Sequence, residues 1–277
     1  MIGKTNREAN GMGYTNLHTH TNFSDGKHSH RENVLSAIEK GMEALGFSDH
    51  SFTPCDTSYC MQQEAYAGYL AVIRELKEEF SHRVRIYAGL ELYYYSQIPE
   101  GDFDYLIASV HYIVENGVCY PIDHSAQQQR QCADEMFGGD MLALAERYYA
   151  QLAEHVNWVR PAVVGHFDVI TKFGLMPEAD PAYRRLAQEA LEKIIPVCPV
   201  LEMNTGAIAR GLRHTPYPAD YLLDTVRQLG GQITLGSDSH HKDNLVFYFD
   251  EAVERLRSAG FDSIAVFNGC GFDSRRI

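Results

Sequence analysis

Seven short apolar runs recur along the chain, at residues 16–20, 45–50, 84–92, 105–112, 162–167, 199–204 and 232–238. Between most of them the apolar positions fall at helical spacing. Val34, Ile38 and Leu45 mark the first such segment, and Tyr69, Leu70, Ile73, Leu76 and Phe80 form a stripe through the second. Further helices are predicted over 141–159, 183–195, 219–229 and 250–259. Strand and helix in alternation give parallel strands, and seven strands covered on both faces predict a closed barrel. A last run at 263–268 reads as an eighth strand or a closing segment. No Pro/Ser-rich linker or repeat interrupts the pattern, so residues 14–277 read as one domain behind a polar, flexible leader at 1–13. The stretch 116–139 reads as a βα loop of unusual length, of the kind that builds an active-site wall.

Polar residues of metal-ligand type end almost every run: His18, His20, Asp25, His50, Glu91, His111, His166, Asp238 and His240. Strand ends on one face of a parallel barrel converge. His18 and His20 lie two apart, so both side chains face the same way and can chelate one ion. Asp238 and His240 repeat that spacing on the last run. Glu91 closes an apolar run, where a buried carboxylate is costly unless it is paired. It reads as a bridge between two cations, with a salt bridge to Arg83 or Arg85 as the alternative. Asp25 precedes Gly26 and reads either as a ligand or as a turn residue. Asp49 reads as a group that orients the His50 imidazole. Of the other histidines, His28, His30, His82, His124 and His155 read mostly as surface residues, while His214 and His241 lie near enough to touch a substrate.

Composition narrows the function classes. A length of 277 residues suits one α/β barrel, and a net charge of −13 argues against sequence-independent nucleic-acid binding. No secretory signal and no bilayer-length apolar run is evident. Six scattered cysteines without a C-x-x-C pair read as reduced thiols in a cytoplasmic protein.

Taken in order, the motifs His18-Thr-His20, Ser24-Asp25-Gly26, Asp49-His50, Gly89-Leu-Glu91, Ser109-Val-His111, Gly165-His166-Phe-Asp168 and Ser237-Asp238-Ser-His240 resemble the PHP (polymerase and histidinol phosphatase) family of metal-dependent phosphoesterases. The resemblance spans residues 16–241. It implies a distorted (β/α)7 TIM-like barrel with the metal site at the C-terminal strand ends. Within the family the chain looks like the histidinol-phosphate phosphatase branch, through FDYLIASVHYI with Tyr120-Pro-Ile-Asp123, through VVGHFDVITKFG, and through Leu201-Glu-Met-Asn204-Thr205.

The resemblance implies three divalent ions, of manganese, iron or zinc. His18, His20, Glu91 and Asp238 would hold the first, Glu91 with His111 and His166 the second, and Asp25, His50 and His240 the third. It implies hydrolysis of L-histidinol phosphate by a metal-bridging hydroxide, with no phosphoenzyme. Asp238 or His240 would assist the leaving group. Arg210 or Arg213 would fork onto the phosphate, with Asn204 beside them. Tyr120 and Asp123, with Glu115, would meet the imidazole and amine. A PHP phosphoesterase for another small phosphate ester or nucleotide, a metal-dependent amidohydrolase, and a non-catalytic barrel with structural metals are the competing readings.

Overall fold

The computed structural model describes residues 13–94 and 96–277. The expected leader falls almost wholly outside the described residues. Seven parallel strands are β1 (Thr15–Asn16), β2 (Ala44–Phe47), β3 (Arg85–Tyr93), β4 (Tyr105–Ser109), β7 (Val163–Val164), β8 (Val200–Asn204) and β9 (Gln232–Gly236). They form one sheet in the order β1-β2-β3-β4-β7-β8-β9. A parallel bridge between Thr19 and Ser239 joins its two edges. The Asn16 side chain tightens that seam by donating to Ser237 Oγ at 2.6 Å and to the Leu245 carbonyl at 2.9 Å. All seven predicted strands are present, and the barrel is nearly closed.

Helices α1 (His30–Glu39), α2 (Tyr66–Glu79), α4 (Met141–Val159), α5 (Pro181–Ile194), α7 (Asp220–Gln228) and α8 (Phe249–Ser258) cover the outside, and the short α6 (Gly206–Ala209) follows β8. Local chemistry sets their ends. Ser29 and Glu32 form a reciprocal capping box at the start of α1. Asp140 accepts from the Leu142 and Ala143 amides at the start of α4, and Asp180 precedes Pro181 at the start of α5. The α2 stripe buries Tyr69, Ile73 and Leu76 against β2 and β3. A larger core packs α4, α5, α7 and α8 on the opposite arc.

Inside the barrel, two glycines make room for one large ring. A Cβ on Gly46 or Gly89 would lie 2.3 or 2.1 Å from Tyr105, whose hydroxyl reaches the Leu17 and Phe47 carbonyls. The terminal run resolves as a hairpin, β10 (Ser263–Phe267) with β11 (Phe272–Arg276), antiparallel and outside the main sheet. Its Phe267 packs on Tyr87 and Tyr105 and plugs the N-terminal end of the barrel. It is a closing segment, not an eighth strand.

Two expectations need correction. The stretch 116–139 is not an extended loop: β5 (Tyr112–Glu115) and β6 (Val118–Pro121) form a hairpin, followed by α3 (Ala126–Phe137). Asn116 and Gly117 supply the left-handed turn between the two strands. The cysteines are not all free thiols, because Cys55 and Cys119 are bonded across 64 residues. Their proximity arises from the loop after β2 meeting the β5–β6 hairpin, which no spacing rule reveals. Cys60, Cys132, Cys198 and Cys270 are free.

Candidate metal and phosphate site

Glu91, wholly buried near the end of β3, is the hub of the strand-end residues. Its Oε1 lies 2.9 Å from His166 Nε2 and 3.0 Å from His111 Nε2. Its Oε2 lies 2.6 Å from His50 Nδ1, 3.5 Å from His18 Nε2 and 3.9 Å from His20 Nε2. Arg85 reaches Glu43 instead, at 3.5 Å, and no arginine pairs with Glu91 among the described residues. Across the seam, Asp238 Oδ1 lies 3.1 Å from His20 Nε2. Asp25 Oδ1 lies 3.2 Å from His240 Nε2 and 3.4 Å from His50 Nε2. The structure thus brings all nine candidate ligands into one contiguous cluster.

The cluster fits divalent cations. Three of its subsets, His20/Asp25/His50/His240, His18/Glu91/His166 and His18/His20/Asp238, each present ligand atoms within 4.8 Å of one another. His18 Nε2 is buried without a hydrogen-bond partner, and Glu91 Oε2 makes no hydrogen bond despite its 2.6 Å approach to His50 Nδ1, a state that costs free energy unless something satisfies them. Nitrogen and oxygen donors without thiolates suit borderline-to-hard cations. Electrostatics points the same way. Burial disfavours a charged His18, yet Glu202, Glu91 and Asp238 push its pKa well above the imidazole range. His111 likewise rises to about 10, where Asp123 and Glu91 outweigh burial. Protons held this tightly by carboxylates mark where a cation would take their place.

A further layer fixes these ligands. Glu202, on β8, places Oε2 and Oε1 at 2.9 and 3.0 Å from His18 Nδ1 and accepts the His166 amide at 2.7 Å. The sequence reading missed Glu202, although an acidic residue inside the apolar run LEMN is the signal that singled out Glu91. Asp123 lies 3.0 Å from His111 Nδ1, and Lys172 holds Asp123 through its carbonyl at 2.7 Å and its carboxylate at 3.3 Å. Asp49 does not orient His50. It accepts from the Thr21 amide at 2.8 Å and the Ser24 hydroxyl at 2.6 Å, and so fixes the loop that carries Asp25. The Tyr93 hydroxyl contacts His50 Nδ1 in its stead. Asp238 itself has φ +45°, a left-handed backbone that aspartate tolerates better than most residues.

The cluster opens into a cavity of about 770 Å³ lined by Asp25, His50, His111, Asp123, Arg210, Asp238 and His240 among others. Arg210 donates to Asp238 Oδ2 at 2.8 Å, and its other terminal nitrogen lies 3.3 Å from His240 Nδ1. Lys27, Lys172, His124 and His241 also line the cavity. The remaining substrate candidates turn elsewhere. Arg213 donates to Thr171 and lies over the Tyr217 ring at 4.7 Å. Tyr120 donates to Glu135 at 2.9 Å, and Glu115 pairs with Arg147. Asn204 is buried and donates to Glu202 at 2.8 Å. His214 is exposed and does not line the cavity. His30 and His155, read as surface residues, are buried.

Comparison with known proteins agrees with this architecture. A "Probable histidinol-phosphatase" of Deinococcus radiodurans is 28% identical over 240 residues, covering 83% of this chain and 87% of the relative. A "Histidinol-phosphatase" of Lactococcus lactis is 28% identical over 275 residues, covering 94% and 96%. The crystal structure of histidinol phosphate phosphatase from Lactococcus lactis, complexed with zinc, L-histidinol and phosphate, superposes with a TM-score of 0.72 at 23% identity, covering 94% of this chain and 98% of that one. No helix among the described residues is long and apolar enough to cross a membrane. The PHP domain model matches residues 16–206, a stretch that holds seven of the nine cluster residues, and the chain therefore belongs to the PHP domain family.

Proposed function

We propose that this chain is a divalent-metal-dependent phosphomonoesterase that hydrolyses L-histidinol phosphate to L-histidinol and phosphate. The observation that carries the reading is the Glu91-centred cluster opening beside Arg210 into a cavity. The histidinol-phosphatases that align over nearly their full lengths, and the zinc, histidinol and phosphate bound to the Lactococcus lactis protein, support the substrate. His18, His20, Glu91 and Asp238 would hold one cation, Glu91, His111 and His166 a second, and Asp25, His50 and His240 a third, with manganese, iron or zinc as the metal. Bound cations supply Lewis acidity at phosphoryl oxygens and make water acidic enough to act at neutral pH.

The side chains divide the remaining work. Arg210 offers a guanidinium to oxygens on which negative charge accumulates in phosphoryl transfer. Asp238, His240 and Arg210 share one wall and would attend the leaving oxygen there. Glu202 and the Asp123–Lys172 pair keep the His18 and His111 rings in one orientation. The test is phosphate release from L-histidinol phosphate beside nucleotide and sugar phosphates, with manganese, iron or zinc supplied in turn. Preferential turnover of histidinol phosphate is expected, and equal or zero turnover would overturn the substrate. In parallel, Glu91→Gln should lose bound metal and activity together.

A further inference from the structure

If Arg210 and the cluster take the phosphoryl group of a substrate, another part of the cavity must recognise the rest of it. That part comes from the loop at residues 51–62, after β2, and from residues 122–125, after the β5–β6 hairpin. They contribute Asp56, Ser58, Tyr59, Asp123 and His124 to the lining. In the ring of strands, β2 to β4 lie across the mouth from β8, which leads into Arg210. The Cys55–Cys119 bond fastens the first segment to the hairpin that leads into the second, and the Tyr59 ring packs 5.7 Å from His124.

Two acidic residues occupy this arc, and one is committed: Asp123 is held by His111 and Lys172. Asp56 has no ion-pair partner among the described residues. It is half-buried, and its Oδ1 accepts the Ser58 amide at 2.9 Å. Ser58 holds the Asp56 carboxyl below the usual range, so it is an anion at neutral pH. Burial lowers the pKa of neighbouring His124, which leaves that ring neutral rather than a counter-ion.

We infer that Asp56 is a specificity-determining residue: its carboxylate receives the cationic end of an amine-bearing phosphate ester and selects it over neutral or anionic esters. The inference rests on the phosphomonoesterase reading above. A charge-assisted hydrogen bond from an ammonium to a fixed carboxylate is directional and strong. The bond between Cys55 and Cys119 keeps that carboxylate on a wall anchored to the rest of the mouth, so the cation is met at a fixed distance from the phosphoryl site.

The experiment compares metal-loaded wild type, Asp56→Asn and Asp56→Glu on L-histidinol phosphate, O-phosphoethanolamine and glycerol phosphate, with metal content measured for each protein. Asp56→Asn should lower kcat/KM for both amine-bearing esters by about tenfold, mainly through KM, which corresponds to one charged hydrogen bond. Glycerol phosphate turnover and metal content should not change, and Asp56→Glu should recover part of the loss. An unchanged preference for amine-bearing over neutral esters in Asp56→Asn overturns the inference, as does an equal loss on all three. If wild type fails to favour histidinol phosphate over O-phosphoethanolamine, the histidinol assignment falls, while the effect of Asp56 on amine preference is still read directly.

Discussion

Glu202 clasps His18: both carboxylate oxygens lie within 3.0 Å of its Nδ1, with both residues buried. The contact leaves Nε2 as the free ring nitrogen, aimed at Glu91 and Asp238. Glu202→Gln would remove the charge that raises the basicity of the ring, at nearly the same volume. Groups that orient a ligating histidine typically contribute ten- to a hundredfold in metal affinity. Titration against a competing chelator should show a loss of about that size, with circular dichroism unchanged. Wild-type affinity in the variant would reduce Glu202 to a packing group.

Space for Glu202 is supplied by Gly236 on the neighbouring strand. A Cβ there would lie 2.1 Å from Glu202 Oε2, and the register pairs Gly236 with Asn204, two residues beyond Glu202. Gly236→Ala should therefore push the carboxylate off His18 and weaken metal binding about as much as Glu202→Gln. The double variant should be little worse than either single one, because both remove the same contact. Additive losses would show that Gly236 acts through something else.

The order of strands and most helix limits were legible because strand ends and helical stripes leave periodic signals, as the 141–159 stripe and α4 illustrate. The ligand types were legible because charged residues closing apolar runs stand out. What escaped depends on contacts between segments distant in sequence. Lys172 looks like an ordinary loop cation until it meets Asp123, 49 residues earlier. Arg213 shares a loop with Arg210, yet packing against Thr171 and Tyr217 turns it from the cavity. His155 lies on a long amphipathic helix, and only the packing of that helix on β3 shows its face to be buried.

The Cys55–Cys119 bond closes a long segment of chain, which restricts the unfolded ensemble. Removing such a link costs about 2–4 kcal/mol. Urea unfolding of the Cys55→Ser/Cys119→Ser variant against oxidised wild type should show a loss in that range, and reduction of wild type should reproduce it. If reduction leaves the wild-type midpoint unchanged, the bond contributes no stability in solution.

Buried histidines outside the cluster make stability depend on pH. Burial lowers His30 to a pKa of about 3 and His155 to about 4, against about 6.5 for an unfolded histidine. His155 Nε2 donates to the Leu92 carbonyl at 2.7 Å, while its Nδ1 is buried without a partner. Between the folded and unfolded values the unfolded chain binds more protons, so stability rises with pH in that window and falls as acid is added. Above pH 6.5 both rings are neutral in either state and contribute no slope. Below it, each ring should remove stability at a rate approaching about 1.4 kcal/mol per pH unit until its folded pKa is reached. The cluster histidines also titrate, so the informative quantity is the difference between variants. His155→Gln keeps a donor for Leu92 and removes the titrating group. Its denaturation free energy should fall less steeply than that of wild type from pH 6.5 to 5, with the two curves parallel above pH 7. Parallel curves throughout would mean that His155 is already solvated or partnered in the folded protein.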